Sequence, residues 1–244
     1  MLCEAVSGLY CNVSLVPDLH PLTFLQILQL ADSGLPVGSI SHSFGLESMV
    51  ADQDIEDGVA ECPASLHCYL DDCLSEGLLV DAAFCREAHI RGRRGDPLDD
   101  LNQQASALKV ARETRNASLS MGRRFAALAA ALDHNPALAA LSKTDELHHS
   151  VAFGFILGVL GIDSNVTVSA FVHQSVISII SAAQRLLPLG QTEASRLAWR
   201  LKDSILRTAA QSQELSYLTV TSFAHLPEMA SMRHSRLGTR LFIS

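Results

Sequence analysis

Val166-Thr-Val-Ser-Ala-Phe-Val-His-Gln-Ser-Val-Ile-Ser-Ile-Ile-Ser-Ala-Ala-Gln-Arg-Leu-Leu187 is the stretch on which the fold reading turns. Val166, Ala170, His173, Ile177 and Ile180 form one stripe at helical spacing; Val168, Val172, Ile179, Ala183 and Leu186 form another. A helix that is apolar on most of its circumference belongs in the middle of a bundle. The first few residues read locally as strand, but the pattern that follows is helical. Residues 164–184 carry no charge, yet Ser, Thr, Asn, Gln and His recur through them, which a membrane span would avoid. Pro188-Leu189-Gly190 breaks the helix. Ala194, Leu197, Ala198, Leu201 and Ile205 then mark an amphipathic one, with Arg196, Arg200, Asp203 and Arg207 on its other face.

Upstream the same period dominates. Phe24, Ile27, Leu28 and Ala31 recur at i, i+3, i+4 and i+7 after Pro21, which predicts a helix buried on that face. A periodic stretch runs from about Ser65 to Ile90 and ends in the charged turn Arg91-Gly-Arg-Arg-Gly-Asp-Pro97. Pro97 is expected in the first turn of the next helix, with Asp99 and Asp100 at its positive end. Met121, Phe125, Leu128 and Leu132 share a face of a further helix over 116–132, stopped by Asp133-His-Asn-Pro136. Hairpin signals are poor and aromatic residues make up only 5%. The expectation is all-α: a single-domain helical bundle of roughly eight to ten helices, given helices of about 11–12 residues plus loops.

The chain has 244 residues, 48% of them hydrophobic and 18% charged, which excludes a disordered protein or a fibre. Its formal charge of −8 gives no basic surface for nucleic acid or an anionic membrane. The cations are 15 Arg and 3 Lys, a bias towards paired interaction surfaces. Cys3, Cys11, Cys62, Cys68, Cys73 and Cys85 make no C-x-x-C pair, so they read as reduced thiols that pack as small hydrophobes. The N-terminus lacks a basic n-region, and the longest wholly apolar run, 151–162, is 12 residues with three Gly. A soluble, cytoplasmic protein is expected.

Chemistry-bearing motifs are few. No Gly-Lys dipeptide occurs, so there is no Walker A loop; H-E-x-x-H and G-x-S-x-G are also absent. Neither a catalytic constellation nor a cofactor is indicated. His148 and His149 are neighbours that point about 100° apart on a helix, a poor chelating pair, and suit a helix start equally well. A lone His such as His173, His67 or His89 reads first as a hydrogen-bonded structural residue.

Two segments stand out. Leu30-Ala-Asp-Ser-Gly-Leu-Pro-Val-Gly-Ser-Ile-Ser-His-Ser-Phe-Gly-Leu-Glu47 holds a helix end, a Gly/Pro turn and a new helix start, for which Ser41 or Ser43 is the simple N-cap. The C-terminal Met232-Arg-His-Ser-Arg-Leu-Gly-Thr-Arg-Leu-Phe-Ile-Ser244 alternates Arg233, Arg236 and Arg240 with Leu237, Leu241 and Phe242. Such a tail docks either on a partner or, by its apolar residues, on its own domain.

With these two segments, three further blocks complete a family pattern: Arg115-Asn-Ala-Ser-Leu-Ser-Met-Gly122, His149-Ser-Val-Ala-Phe-Gly154 running on to Leu160-Gly-Ile162, and Arg185-Leu-Leu-Pro-Leu-Gly-Gln191. In this order, from about Leu22 to the C-terminus, the chain resembles the urease accessory protein UreF family. The resemblance implies a non-enzymatic, all-α homodimer that joins UreD (also called UreH), recruits the GTPase UreG and serves nickel insertion into apo-urease. It implies a flexible extension over 1–20, a helical domain over 21–232 and a partner-docking tail over 233–244. Carried over residue by residue, the partner-binding candidates are Gly38, His42, Ser43, Gly45 and Glu47 in the turn, and Arg233, His234, Arg236, Arg240 and Ser244 in the tail. The purely structural reading gives Gly38 and Gly45 a backbone role and Glu47 an internal Arg partner. Ile40 and Gly238-Thr239 stand where the family usually carries aromatics, so two interface anchors are missing. Two alternatives are a nickel metallochaperone acting through surface His and Cys, and a bundle metalloenzyme; the repeated Glu-x-x-His of the latter is absent.

Overall fold

The computed structural model describes residues 19–52, 55, 62–221, 225–238 and 240–243, so the expected extension over 1–20 lies almost wholly outside it. Among the described residues the fold is all-α as expected. Twelve α-helices and one 3-10 turn (Ser39–Ser41) follow one another: α1 Pro21–Leu30, α2 Leu46–Ala51, α3 Cys62–Ser75, α4 Gly77–Arg94, α5 Asp99–Leu108, α6 Arg112–Leu132, α7 Pro136–Leu141, α8 His149–Val159, α9 Ser164–Leu186, α10 Gln191–Arg200, α11 Lys202–Gln211 and α12 His225–His234. The number exceeds eight to ten because α2 and α7 are only six residues each and two periodic stretches are broken. The stretch from Ser65 to Ile90 is interrupted at Glu76, whose φ of −119° and ψ of −92° are not helical. The run after Gly190 divides at Leu201 into α10 and α11. Pro97 precedes α5 rather than entering it, while Asp99 and Asp100 do occupy its first turn.

At the centre α4 and α8 run parallel and pack backbone to backbone. Asp81 meets Ser150, Cys85 meets Gly154 and His89 meets Gly158, at a constant sequence offset. A Cβ on Gly154 would lie 2.0 Å from the Cys85 carbonyl oxygen, and one on Gly158 2.4 Å from that of His89. No side chain fits in either place. Every residue of α8 from His149 to Gly158 is buried, so the apolar run 151–162 forms the floor of the core.

The helix α9 packs across α4, α8, α10 and α11. Asp163 caps it, accepting from the Asn165 and Val166 N–H groups, so residues that read locally as strand are its first turn. Val168, Val172, Ile179 and Ala183 are buried, whereas Val166, Ala170, His173 and Ile177 of the other stripe are only half-buried. By length and composition α9 could cross a membrane, but it lies largely inside the bundle and buries Thr167, Gln174 and Ser178.

Polar pins hold the frame. Arg91 donates to Glu87, to both carboxylate oxygens of Asp100, to the Pro97 carbonyl and to the Tyr217 hydroxyl, joining α4, the start of α5 and the loop after α11. Those Arg91 bonds hold the Asp100 carboxyl well below the usual range. His148, the N-cap residue of α8, is fully buried; its ring joins the hydroxyls of Ser106 (2.8 Å) and Ser118 (3.0 Å), and its N–H donates to Asn102 Oδ1. Burial lowers its pKa to about 4. Cys73 and Cys85 are buried free thiols, and burial pushes Cys73 up to about 12; Cys68 is exposed.

One expectation fails at α1. The helix is present, but Ile27 and Leu30 are the buried residues, while Phe24 and Leu28 of the expected face are exposed along with Leu22 and Leu25. Periodicity located the helix, but not the face that meets the bundle.

Candidate functional site

The two segments that stood out in the sequence meet in space. After α1 the chain passes Gly38 at φ +90°, with the Arg124 guanidinium directly over its Cα, makes the turn Ser39–Ser41 and reaches Gly45, again at φ +90°. Gly45, not Ser41 or Ser43, is the residue before α2. Its missing side chain matters twice. The backbone angle suits glycine, and a Cβ would stand 2.7 Å from the Pro227 carbonyl oxygen and 3.1 Å from Ala230. The start of α2 thereby seats directly on α12.

Between them His42 and Ser43 are buried, and so is Phe44 in part, with Tyr69 donating to its carbonyl. Burial lowers the His42 pKa, and the Arg124 charge lowers it further. The His42 and Phe44 rings lie 6.0 Å apart.

Glu47 closes the site. It sits in the first turn of α2 with 6% of its surface exposed, where a carboxylate also gains from the helix dipole. One carboxylate oxygen receives His234 Nε2 at 2.7 Å and the Phe242 N–H at 3.3 Å; the other receives the Leu241 N–H at 2.6 Å. The next residue continues the run, Ile243 donating its N–H to the Ser41 carbonyl at 2.9 Å. Three successive backbone donors and a buried imidazole are thus fastened to one turn. The Phe242 ring is 5% exposed and lies under the Arg185 guanidinium, 4.3 Å from the ring centroid. Arg233 pairs with Asp52 at 3.2 Å beside this clasp.

Of the ten candidates, Gly38, His42, Ser43, Gly45 and Glu47 line one side of the clasp, and His234 is locked inside it. Arg236 and Arg240 are exposed, and Ser244 lies outside the described residues. The internal partner of Glu47 is therefore a histidine and two backbone N–H groups rather than an arginine. Arg124 and Arg185 were missed. For Arg185 a signal existed: it is the first charge after the uncharged run 164–184, at the last turn of α9.

The outer surface of the clasp mixes charge with apolar groups. Met229 is 54% exposed, Leu241 59% and Ile243 73%, around Arg236 and Arg240. Such a patch is what a partner interface presents. Among the described residues no group of three or more His, Cys, Asp or Glu side chains is placed to hold a metal ion.

Comparison with known proteins agrees over most of the chain. The UreF family model matches residues 61–202. The chain is similar to urease accessory protein UreF of Bradyrhizobium diazoefficiens, 35% identical with 90% of each chain covered. It is also similar to that of Bradyrhizobium sp. strain BTAi1, 31% identical over 92% of this chain and 93% of the relative. A third relative, from Nostoc sp. strain PCC 7120, is 30% identical over 91% of this chain and 96% of its own.

Proposed function

The chain belongs to the UreF family of urease accessory proteins, and from that premise we propose that it works as a dimeric scaffold. In this role it joins UreD (also called UreH) and recruits and regulates the GTPase UreG, so that nickel is delivered to apo-urease in the cytoplasm. The protein itself acts through surfaces rather than through a reaction.

The observation that carries the reading is the clasp. A C-terminal segment is held in a defined shape by Glu47, with its side chains of recognition turned outward. Preorganising a short segment removes ordering cost at the moment of binding. Arg236, Arg240, Leu241 and Ile243 then form the contact surface for UreD. A second apolar surface on α1, made by Leu22, Phe24, Leu25 and Leu28, supports a further contact, as a scaffold with several partners needs.

Size-exclusion chromatography with light scattering, on the protein alone and with UreD and UreG, tests this. Deleting 233–244 outright would strip a buried carboxylate of its donors, so surface variants are the cleaner probe. Arg240→Glu and Ile243→Asp are expected to leave folding intact and to reduce complex formation at least tenfold. Unchanged complex yields for both would overturn the tail as the contact surface.

A further inference from the structure

A cavity of about 130 Å³ lies between α3, α4, α5, α6, α8, α9 and α12, inward of the clasp. Its walls are mainly apolar, with Phe84, Leu108, Met121 and Phe171 among them. Among the described residues, two lining side chains carry buried polar atoms with no hydrogen-bond partner. Gln174 is 1% exposed and neither its Nε2 nor its Oε1 makes a hydrogen bond; His149 is 8% exposed with Nε2 unbonded. They are neighbours, since the His149 ring lies 5.6 Å from that of Phe171, one helical turn before Gln174. Buried polar atoms are almost always bonded, so these call for an occupant that bonds them.

Both carboxylates in the wall already have partners. Asp81 pairs with Lys109 at 2.8 Å and accepts from the Ser150 hydroxyl at 3.0 Å. Glu228 accepts the Ala111 N–H at 2.6 Å, and burial raises its carboxyl pKa. Burial lowers His149 to about 4, so its imidazole is neutral near pH 7. The groups with unmet bonds, the Gln174 amide and the His149 ring, are neutral, so they call for a neutral polar occupant rather than an ion. Ordered water is the competing occupant, since hydroxyls of Thr114, Ser175, Ser178 and Ser231 also line the space. Phenylalanine, leucine and methionine walls with convergent polar groups are equally the makeup of a small-molecule site.

We propose that this cavity binds a small neutral molecule carrying an N–H and a C=O on one edge, as a lactam or carboxamide does. Gln174 Nε2 donates to the ligand carbonyl and Gln174 Oε1 accepts from the ligand N–H. The pairing works in either orientation of the Gln174 amide, because both of its ends are free. His149 Nε2 lies at hand for a further polar atom, and the rest of the molecule packs on the phenylalanine walls.

The test uses the full chain with δ-valerolactam as probe and cyclohexanone, which has the shape and the carbonyl but no N–H, as control. Titration followed by the ¹H–¹⁵N resonances of the Gln174 side-chain amide is expected to show lactam binding at least tenfold tighter than cyclohexanone. In Gln174→Leu, which removes the unbonded amide and should fold, the same titration followed by the backbone ¹H–¹⁵N resonances of α9 is expected to show the two probes binding equally. Equal affinity of the two probes for the unaltered protein would overturn the proposal. So would a crystal soaked in lactam that shows only ordered water in the cavity.

Discussion

Replacing Glu47 by Gln is the sharpest perturbation of the clasp. The amide keeps the size of the carboxylate but retains one acceptor oxygen and turns the other into an N–H₂ donor. Three donors now converge on the carboxylate: His234 Nε2, the Leu241 N–H and the Phe242 N–H. At least one of them would face another donor. Bonds to a charged acceptor contribute about 1.5–3 kcal/mol each, and Glu47 is too buried for solvent to screen the loss. Weakening two of the three gives a local cost of about 3 kcal/mol, or about a hundredfold in the opening equilibrium. Hydrogen exchange reads this directly. The amides of Leu241 and Phe242 should exchange about a hundredfold faster, while those of α8 stay as slow as before. Unchanged exchange at 241 and 242 would refute the role assigned to the carboxylate. Equal acceleration throughout α8 would do so too, since Glu47 would then be a global support rather than a local fastening.

Four other perturbations follow. His148 and His149 have native pKa values lowered to about 4, so below about pH 6.5 the unfolded chain binds protons that the native one refuses. Stability should be full above that pH and fall as pH drops towards 4, by up to about 3 kcal/mol for each residue; urea unfolding at pH 7.5 and pH 4.5 measures it, and equal midpoints would contradict it. Gly154→Ala should destabilise by about 3 kcal/mol, because its Cβ meets a backbone carbonyl rather than a movable side chain. Gly190→Ala, with open space around the new methyl, should change thermal stability little. Gly238→Tyr also enters open space, and with Ile40→Tyr it is expected to tighten complex formation with the proposed partner UreD by supplying aromatic anchors; unchanged pull-down yields for both would discard the idea.

What could be read from the sequence was whatever is local. The two-striped pattern of 166–187 identified a long helix that packs into the bundle, although only the stripe of Val168, Val172, Ile179 and Ala183 is fully buried and most of the other is half-buried. Asp99 and Asp100 marked a helix start because dipole effects act within one turn. The failures come from contacts that have no local signature. Leu28 sits on a correct helix yet faces outward, since six large apolar residues on a ten-residue helix leave several faces to choose from. The breaks at Glu76 and Leu201 interrupt the backbone but not the hydrophobic rhythm, so the rhythm alone runs straight through them. Glu47 and His234 were each singled out as partner-binding candidates, but no sequence pattern joins positions so far apart. The cavity was invisible for a related reason: Gln174 reads as one polar residue among many on α9, and only the packing shows that its amide is unmet.

The glycine-lined contact of α4 and α8 also bears on how the chain reaches this state. Parallel helices cannot be joined by a short turn, so residues 95–148, carrying α5, α6 and α7, must loop back before Gly154 and Gly158 can settle on Cys85 and His89. Closing such a loop costs entropy that no single early contact returns. Partial docking gains little as well, because a glycine supplies no side chain with which to make a loose first contact. The closest approach of α4 to α8 is reached only in register. Folding of the bundle is therefore expected to wait on this long-range docking, and to be slower than that of a bundle of short antiparallel hairpins.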